Sequence, residues 1–315
     1  MYFGFLIEKG KVLMKRFIFK KIAAASLSVI TFFSVVCSTG FASKAADIED
    51  NEECMALYDS TYIDQYDLEQ QKIANEEVLC NSNNLESTTL SKGSKFFKDG
   101  IKYEAMYDGT LAVCYVLKTI KEVNIPETVK YKDTDYKVTQ FNNDENGGGV
   151  NLVMYRLTIP NSVVSIGDMA IRNCPNLKYL NIGNSVTQVG DDVLYQTYNI
   201  EKVVMGRTVG YLFATQKPVK VKEAVLLDSV DKIAAGAFYN CTELTTVNIP
   251  DGTTKISISA FKNCKSLQMI YIPSSVENIA DNAFENSGIV AIHGEKGSYA
   301  EKYAKAHGYN FYSKT

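Results

Sequence analysis

The chain has 315 residues, 46% of them hydrophobic, no Trp, and a formal charge of −3 from 33 Lys and Arg against 36 Asp and Glu. This is the composition of a folded protein, not a disordered one. The mild acidity argues against nucleic acid or anionic lipid as a partner, since both need a basic surface.

In chain order, residues 1–42 read as a secretory signal peptide. A basic run, Met14-Lys-Arg-Phe-Ile-Phe-Lys-Lys, precedes an apolar stretch at 22–36 and small residues around 40–45. Met14 is a second candidate start, because the stretch before it is long for such a basic region. The apolar run is about 15 residues, short of the roughly 20 that a spanning helix needs, so cleavage is expected and no stable membrane insertion afterwards. Val35 and Val36 stand before Cys37, where lipid attachment wants a small residue. Cleavage after Ala42 would remove six basic residues and one acidic one, leaving 27 − 35 = −8.

Residues 43–95 change character, with acidic residues at 47–53, a Tyr- and Gln-rich stretch at 62–79, and a polar Asn/Ser/Thr run at 81–94. That is the chemistry of a loosely attached extension and linker. Residues 96–150 form an expected N-terminal β region. Asp99-Gly100 and Asp108-Gly109 fall between alternating apolar runs, the signal for tight hairpins. Ile125-Pro126 then looks like the start of a first repeat, with the extra residues before the next repeat accommodated at 130–137 and in a Gly-rich loop at 142–149.

Residues 151–292 carry a pattern of about 23 residues. Its anchor residue is read at Ile159, Ile182, Met205, Leu227, Ile249 and Ile272, and such a period means a solenoid. Each copy runs apolar-x-x-apolar-x-apolar, a Pro or Gly turn, Val-x-x-Ile, and then Gly-x-x-Ala-Phe-x-x-Cys or a variant, which predicts two short strands and a tight helical turn. Cys174, Cys241 and Cys264 share one repeat position where a small buried hydrophobe is wanted. Phe238, Phe261 and Phe284 share another and should stack inside, with mid-stack Phe261 costing more to remove than Phe284. The copy at 203–224 lacks Ala-Phe-x-x-Cys, which puts its helical turn in question. Residues 293–315 form a cap: Ser298-Tyr-Ala-Glu301 is a capping box opening a short helix that Gly308 closes, with Tyr299, Ala300, Tyr303 and Ala304 as its apolar face. An array needs such a cap, and this one is expected to be complete.

The motifs Ile-Pro-x-Ser-Val-x-x-Ile at 159–166 and 272–279, and Ala-Phe-x-Asn-Cys at 237–241 and 260–264, resemble the BspA-like leucine-rich repeat proteins over roughly residues 96–311. The resemblance implies a β-rich leucine-rich repeat solenoid, and a secreted or surface protein of a kind associated with adhesion to host, matrix or cell partners.

Catalytic and metal readings start from a poor inventory. The two His are His293 and His307, and no Cys-x-x-Cys or His-x-x-x-His spacing suggests zinc. Cys264 with His293 is the sharpest nucleophile pair, yet Cys264 sits at the repeated core position. Gly147-Gly-Gly149 lacks the following helix and Lys of a phosphate loop. Asp191-Asp192 falls in a variable turn with no cleft to face a second carboxylate. No enzyme activity, no cofactor and no metal site are expected. Among the cysteines, Cys241 with Cys264 and Cys54 with Cys80 are conceivable bridges, and free thiols are preferred.

The remaining candidate is a surface. In apolar-x-x-apolar-x-apolar the middle x points outward, giving a ladder of Thr158, Asn181, Val204, Leu226, Asn248, Tyr271 and His293, flanked by Lys178, Tyr179, Thr246 and Met269. No ladder member is an acid, Lys or Arg. Two readings stand: good strand formers paired with one another, or a partner-binding face with Tyr271 as its anchor. The partner would be a protein or glycan. A structural element of the cell envelope, docked through the acidic extension, is the alternative function.

Overall fold

The computed structural model describes residues 2–8, 11–17, 89–142, 153–215 and 217–313. The chain divides into two compact units, Met1–Tyr62 and Ile63–Thr315. In the first, β1 (Tyr2–Glu8) pairs antiparallel with β2 (Lys11–Phe17), so the basic run from Met14 begins inside a strand. The apolar stretch at 22–36, Cys37, Cys54, Cys80 and the triple glycine at 147–149 lie outside the described residues.

The described part of the second unit opens as an antiparallel meander of β3 (Lys95–Lys98), β4 (Ile101–Ala105) and β5 (Leu111–Val116). Asp99 and Gly100 both take left-handed φ, 52° and 75°, as the expected hairpin turn requires. A Cβ at Gly100 would meet only the tip of the Ile120 side chain, which can turn aside, so the left-handed φ is what calls for glycine there. At the second turn the Asp108 carboxylate accepts from the Thr110 amide and hydroxyl, at 3.1 and 2.6 Å, and these bonds hold its pKa below the ordinary range. β5 is buried along its whole length because β8 (Thr134–Phe141) pairs parallel to it. A hairpin that the sequence did not announce, β7 (Thr128–Tyr131) turning through Lys132 into β8, takes up part of the spacing between the first repeat and the second.

From there the coils build two parallel stacks. The strand-face stack is β6 (Glu122–Asn124), β9 (Arg156–Ile159), β11 (Tyr179–Ile182), β13 (Lys202–Met205), β14 (Glu223–Leu226) and β16 (Thr246–Val247), joined in one sheet. A further sheet follows, of β18 (Met269–Tyr271), β20 (Ala291–Gly294) and β21 (Asn310–Ser313). The other stack carries β10 (Ser165–Ile166) and β12 (Gln188–Val189) on β8, and then β15 (Lys232–Ile233), β17 (Lys255–Ile256) and β19 (Asn278–Ile279) as a separate sheet. Asn124 pairs with Thr158, so Ile125 stands beside Ile159, the anchor of the next copy.

The helical turns close the core. Phe238, Phe261 and Phe284 stack as expected, with centroids 5.3 Å apart and rings within 10° of parallel. The column is longer than the sequence suggested. Phe213, from the copy lacking Ala-Phe-x-x-Cys, extends it at 6.1 Å, so that copy keeps its turn. Tyr303 caps the other end edge-on at 6.0 Å, so Phe284 has a ring on each side. Asn173, Asn240, Asn263 and Asn286 hold left-handed φ of 52° to 64° where each turn reverses, a conformation asparagine tolerates better than most residues. Cys174, Cys241 and Cys264 are buried at their repeat position as free thiols. The Cys264 Sγ donates to the Phe238 carbonyl, and burial pushes its pKa from 9.0 to about 12.

The copy at 203–224 changes both stacks. Where its second strand would lie, the Thr208 hydroxyl donates to the Lys232 carbonyl and accepts from the Ala234 amide, at 2.7 and 2.9 Å. One side chain thus replaces the missing strand between β12 and β15. The copy is also shorter than the sequence reading allowed. Met205 pairs with Leu226, which is 2% exposed, while Leu227 is 47% exposed. Leu226 is therefore the anchor and Leu227 a turn residue. The assignment of Leu226 to the outward ladder is wrong, and Val225 takes that place opposite Val204. A slip of one residue exchanges the faces of a strand.

The cap is helix α1 (Tyr299–His307). The Ser298 hydroxyl accepts from the Glu301 amide, and the Glu301 carboxylate reaches back to the Gly297 amide at 2.6 Å. Ala300, Tyr303 and Ala304 are buried, but Tyr299 is exposed and not part of the packed face. Gly308 closes the helix at φ 75°, and the chain returns as β21, a strand the sequence reading missed.

Four outcomes are expected. Phe261→Ala and Phe284→Ala, each flanked on both sides, should lose similar stability in chemical denaturation, about 3–5 kcal/mol. Leu226→Ser should lose at least about 2 kcal/mol, while Val225→Ser should stay within about 1 kcal/mol of wild type. Cys174, Cys241 and Cys264 should resist alkylation in the native chain and react after unfolding. Because the Cys264 pKa is raised on folding, its contribution is complete below pH 9 and is lost as pH rises toward about 12, which denaturation midpoints across that range will measure.

Candidate functional site

The strand face is set by parallel register. Asn124, Thr158, Asn181, Val204 and Val225 face one another in turn from β6 to β14. Tyr271, His293 and Tyr312 do the same from β18 to β21. None of them is fully buried: Asn124 and Tyr312 are exposed and the others are partly exposed.

Beside this ladder the first sheet is charged, and its charges are paired along the stack. Lys178 bonds Glu201 at 2.6 Å, Lys222 approaches the other Glu201 oxygen at 3.5 Å, and Lys202 bonds Glu223 at 2.7 Å. The Lys178 hydrogen bond, with both lysine charges, holds Glu201 below the ordinary carboxylate range. Farther along, the Arg156 guanidinium lies 4.7 Å from the Tyr179 ring centroid and 3.8 Å from Glu122. Tyr155 donates to Glu122, a bond that raises its own pKa, and meets Tyr179 edge-on at 6.0 Å. These pairs are solvent-exposed, so each adds little stability. They do use up the charge of this half of the face internally.

The second sheet differs. Gln268, Met269 and Tyr271 of its first coil, Val290 and His293 of the next, and Asn310 and Tyr312 of β21 carry no acid, Lys or Arg. Met269 is 60% exposed, Val290 58% and Tyr312 53%. His293 and Tyr312 stack with centroids 5.2 Å apart.

Of the residues singled out from sequence, Thr158, Asn181 and Val204 lie in one ladder and Tyr271 and His293 in the other. Lys178 and Tyr179 flank the first within the paired cluster, and Thr246 and Met269 are exposed. Asn248 is engaged elsewhere. Its amide takes both the N–H and the C=O of Leu226, each at 2.9 Å, standing in for backbone pairing at the edge of β16. Sequence reasoning missed Glu201, Lys202, Lys222 and Glu223, although the near-repeat spacing of Lys178, Glu201 and Lys222 was a usable signal. It missed Tyr312 because β21 was not foreseen.

The proposed nucleophile pair is not assembled. Cys264 is fully buried at a helical turn, whereas His293 stacks on Tyr312 at the surface. Asp191 and Asp192 are exposed. Among the described residues no group of three or more His, Cys, Asp or Glu could hold a metal ion, and no helix is long and apolar enough to cross a membrane.

Residues 151–216 and 210–304 match the model of the BspA type Leucine rich repeat region, in six copies. No curated protein matches the chain. Similar solved structures include a Leucine Rich Repeat protein of T. pallidum, at 16% identity over 70% of this chain and 98% of that one, with a TM-score of 0.42. A leucine-rich repeat protein from Bacteroides ovatus shares 19% identity over 63% and 70%, with a TM-score of 0.34. A leucine rich cell surface protein from Faecalibacterium prausnitzii shares 15% over 67% and 97%, with a TM-score of 0.27. Residues 151–304 thus carry the repeat motifs and parallel stacks of a BspA-type leucine-rich repeat region, in six matched copies.

Proposed function

We propose that this protein is a binding module that works outside the cell, free or held at the surface, and presents its strand face to a partner rather than catalysing a reaction. The observation that carries this reading is the ladder of outward residues. It is kept in register from strand to strand, and none of its members is an acid, Lys or Arg, where a face that served only to be solvated would be rich in charge. The signal-type segment at 1–42 supports an extracellular location. So does the similarity to the Faecalibacterium prausnitzii protein, which is described as a cell surface protein.

The test is capture of partners from culture and host-cell material on immobilised wild-type chain and on two variants. Thr158→Lys combined with Val204→Lys and Tyr271→Lys should lower capture at least about fivefold, the equivalent of about 1 kcal/mol. Asp231→Ala combined with Glu277→Ala, exposed positions on the other stack, should leave capture intact with unchanged circular dichroism. The reverse result would move the site to the other face.

A further inference from the structure

The change in chemistry along the strand face falls where the hydrogen-bonded sheet itself is interrupted, between β16 and β18. On one side the charged side chains already satisfy one another. On the other the strands offer amides, hydroxyls, rings and exposed apolar groups, and nothing ionic.

Resting on the strand-face reading above, we propose that the outward face of the β18, β20 and β21 sheet is the binding site for a neutral polysaccharide lying across the strands. A charged partner would find no counter-ion on this patch and would have to compete with formed ion pairs on the adjoining one. A neutral sugar needs neither. It presents C–H faces that pack on aromatic rings and hydroxyls that pair with amides and phenols. Tyr271, His293 and Tyr312 supply rings on three successive strands in register. Gln268 and Asn310 bring amides beside them, and Met269 and Val290 expose apolar surface at 60% and 58% that a sugar face would cover. Equivalent side chains recur at the strand spacing, about 4.8 Å, close to the length of one pyranose ring, so a linear polymer meets the same chemistry repeatedly. Rows of side chains at this spacing suit an extended chain gathering many weak contacts better than a small ligand needing a pocket.

The experiment measures binding of the whole chain to immobilised cello-, xylo-, manno- and galacto-oligosaccharides, with heparin and hyaluronan alongside. At least one neutral glycan should bind, with little change between low and high salt. Tyr271→Ala and Tyr312→Ala should each weaken that binding about tenfold, as loss of an aromatic anchor does. Met269→Lys, at an exposed position where folding is not in question, should weaken it too, and Tyr179→Ala on the first sheet should not. Binding confined to heparin or hyaluronan, equal loss from Tyr179→Ala, or no binding to any neutral glycan would overturn the proposal. In those cases partner capture that still depends on the Thr158, Val204 and Tyr271 variant would leave the strand-face reading standing, whereas capture lost only in the Asp231 and Glu277 control would sink both.

Discussion

Register between neighbouring coils is the constraint on which this molecule depends. A coil of about 23 residues has too little interior to fold alone, so its strands become stable only when the coils before and after supply hydrogen bonds and apolar contact. The pairing is strict: Leu157, Leu180, Val203 and Ala224 face one another along the sheet, and every residue to either side inherits its face from that match. The stacked Phe213, Phe238, Phe261 and Phe284, closed off by Tyr303, continue the same constraint at the helical turns.

Where the repeat departs from its pattern, side chains take over what the backbone no longer provides. Thr208 holds Lys232 and Ala234 across a missing strand, Asn248 holds both backbone groups of Leu226, and buried Thr197 occupies the cysteine position, accepting from Cys174 and donating to Ile171. An unpaired buried backbone group costs about as much as a lost hydrogen bond, so a shortened copy survives only with such substitutes. Thr208 bridges the break between β12 and β15 in one stack, whereas the chemistry of the strand face changes at another break, between β16 and β18.

Function follows from what the coils leave outside. A parallel stack forces equivalent residues into rows, one of mutual ion pairs, as from Lys178 to Lys222, and another of aromatic rings without an acid, Lys or Arg, as from Tyr271 to Tyr312. The first kind satisfies itself. The second is the row on which the proposed binding rests.

The period, the two strands per coil, the hairpin at Asp99-Gly100, the aromatic column and the capped helix were all legible in sequence, because each rests on local spacing or on one residue's conformational preference. The outward positions were legible wherever the copies kept their length, as at Thr158, Asn181, Val204 and Tyr271. Tertiary structure decided the rest. Whether Leu226 or Leu227 turns inward depends on pairing with Met205 in a shortened copy, and two adjacent leucines carry no mark of that choice. The ion pairs join residues 21 or more positions apart, so they exist only once the coils are stacked. The return of β21 onto β20, which puts Tyr312 beside His293, is a contact made by the folded array and not by any pattern within the strand.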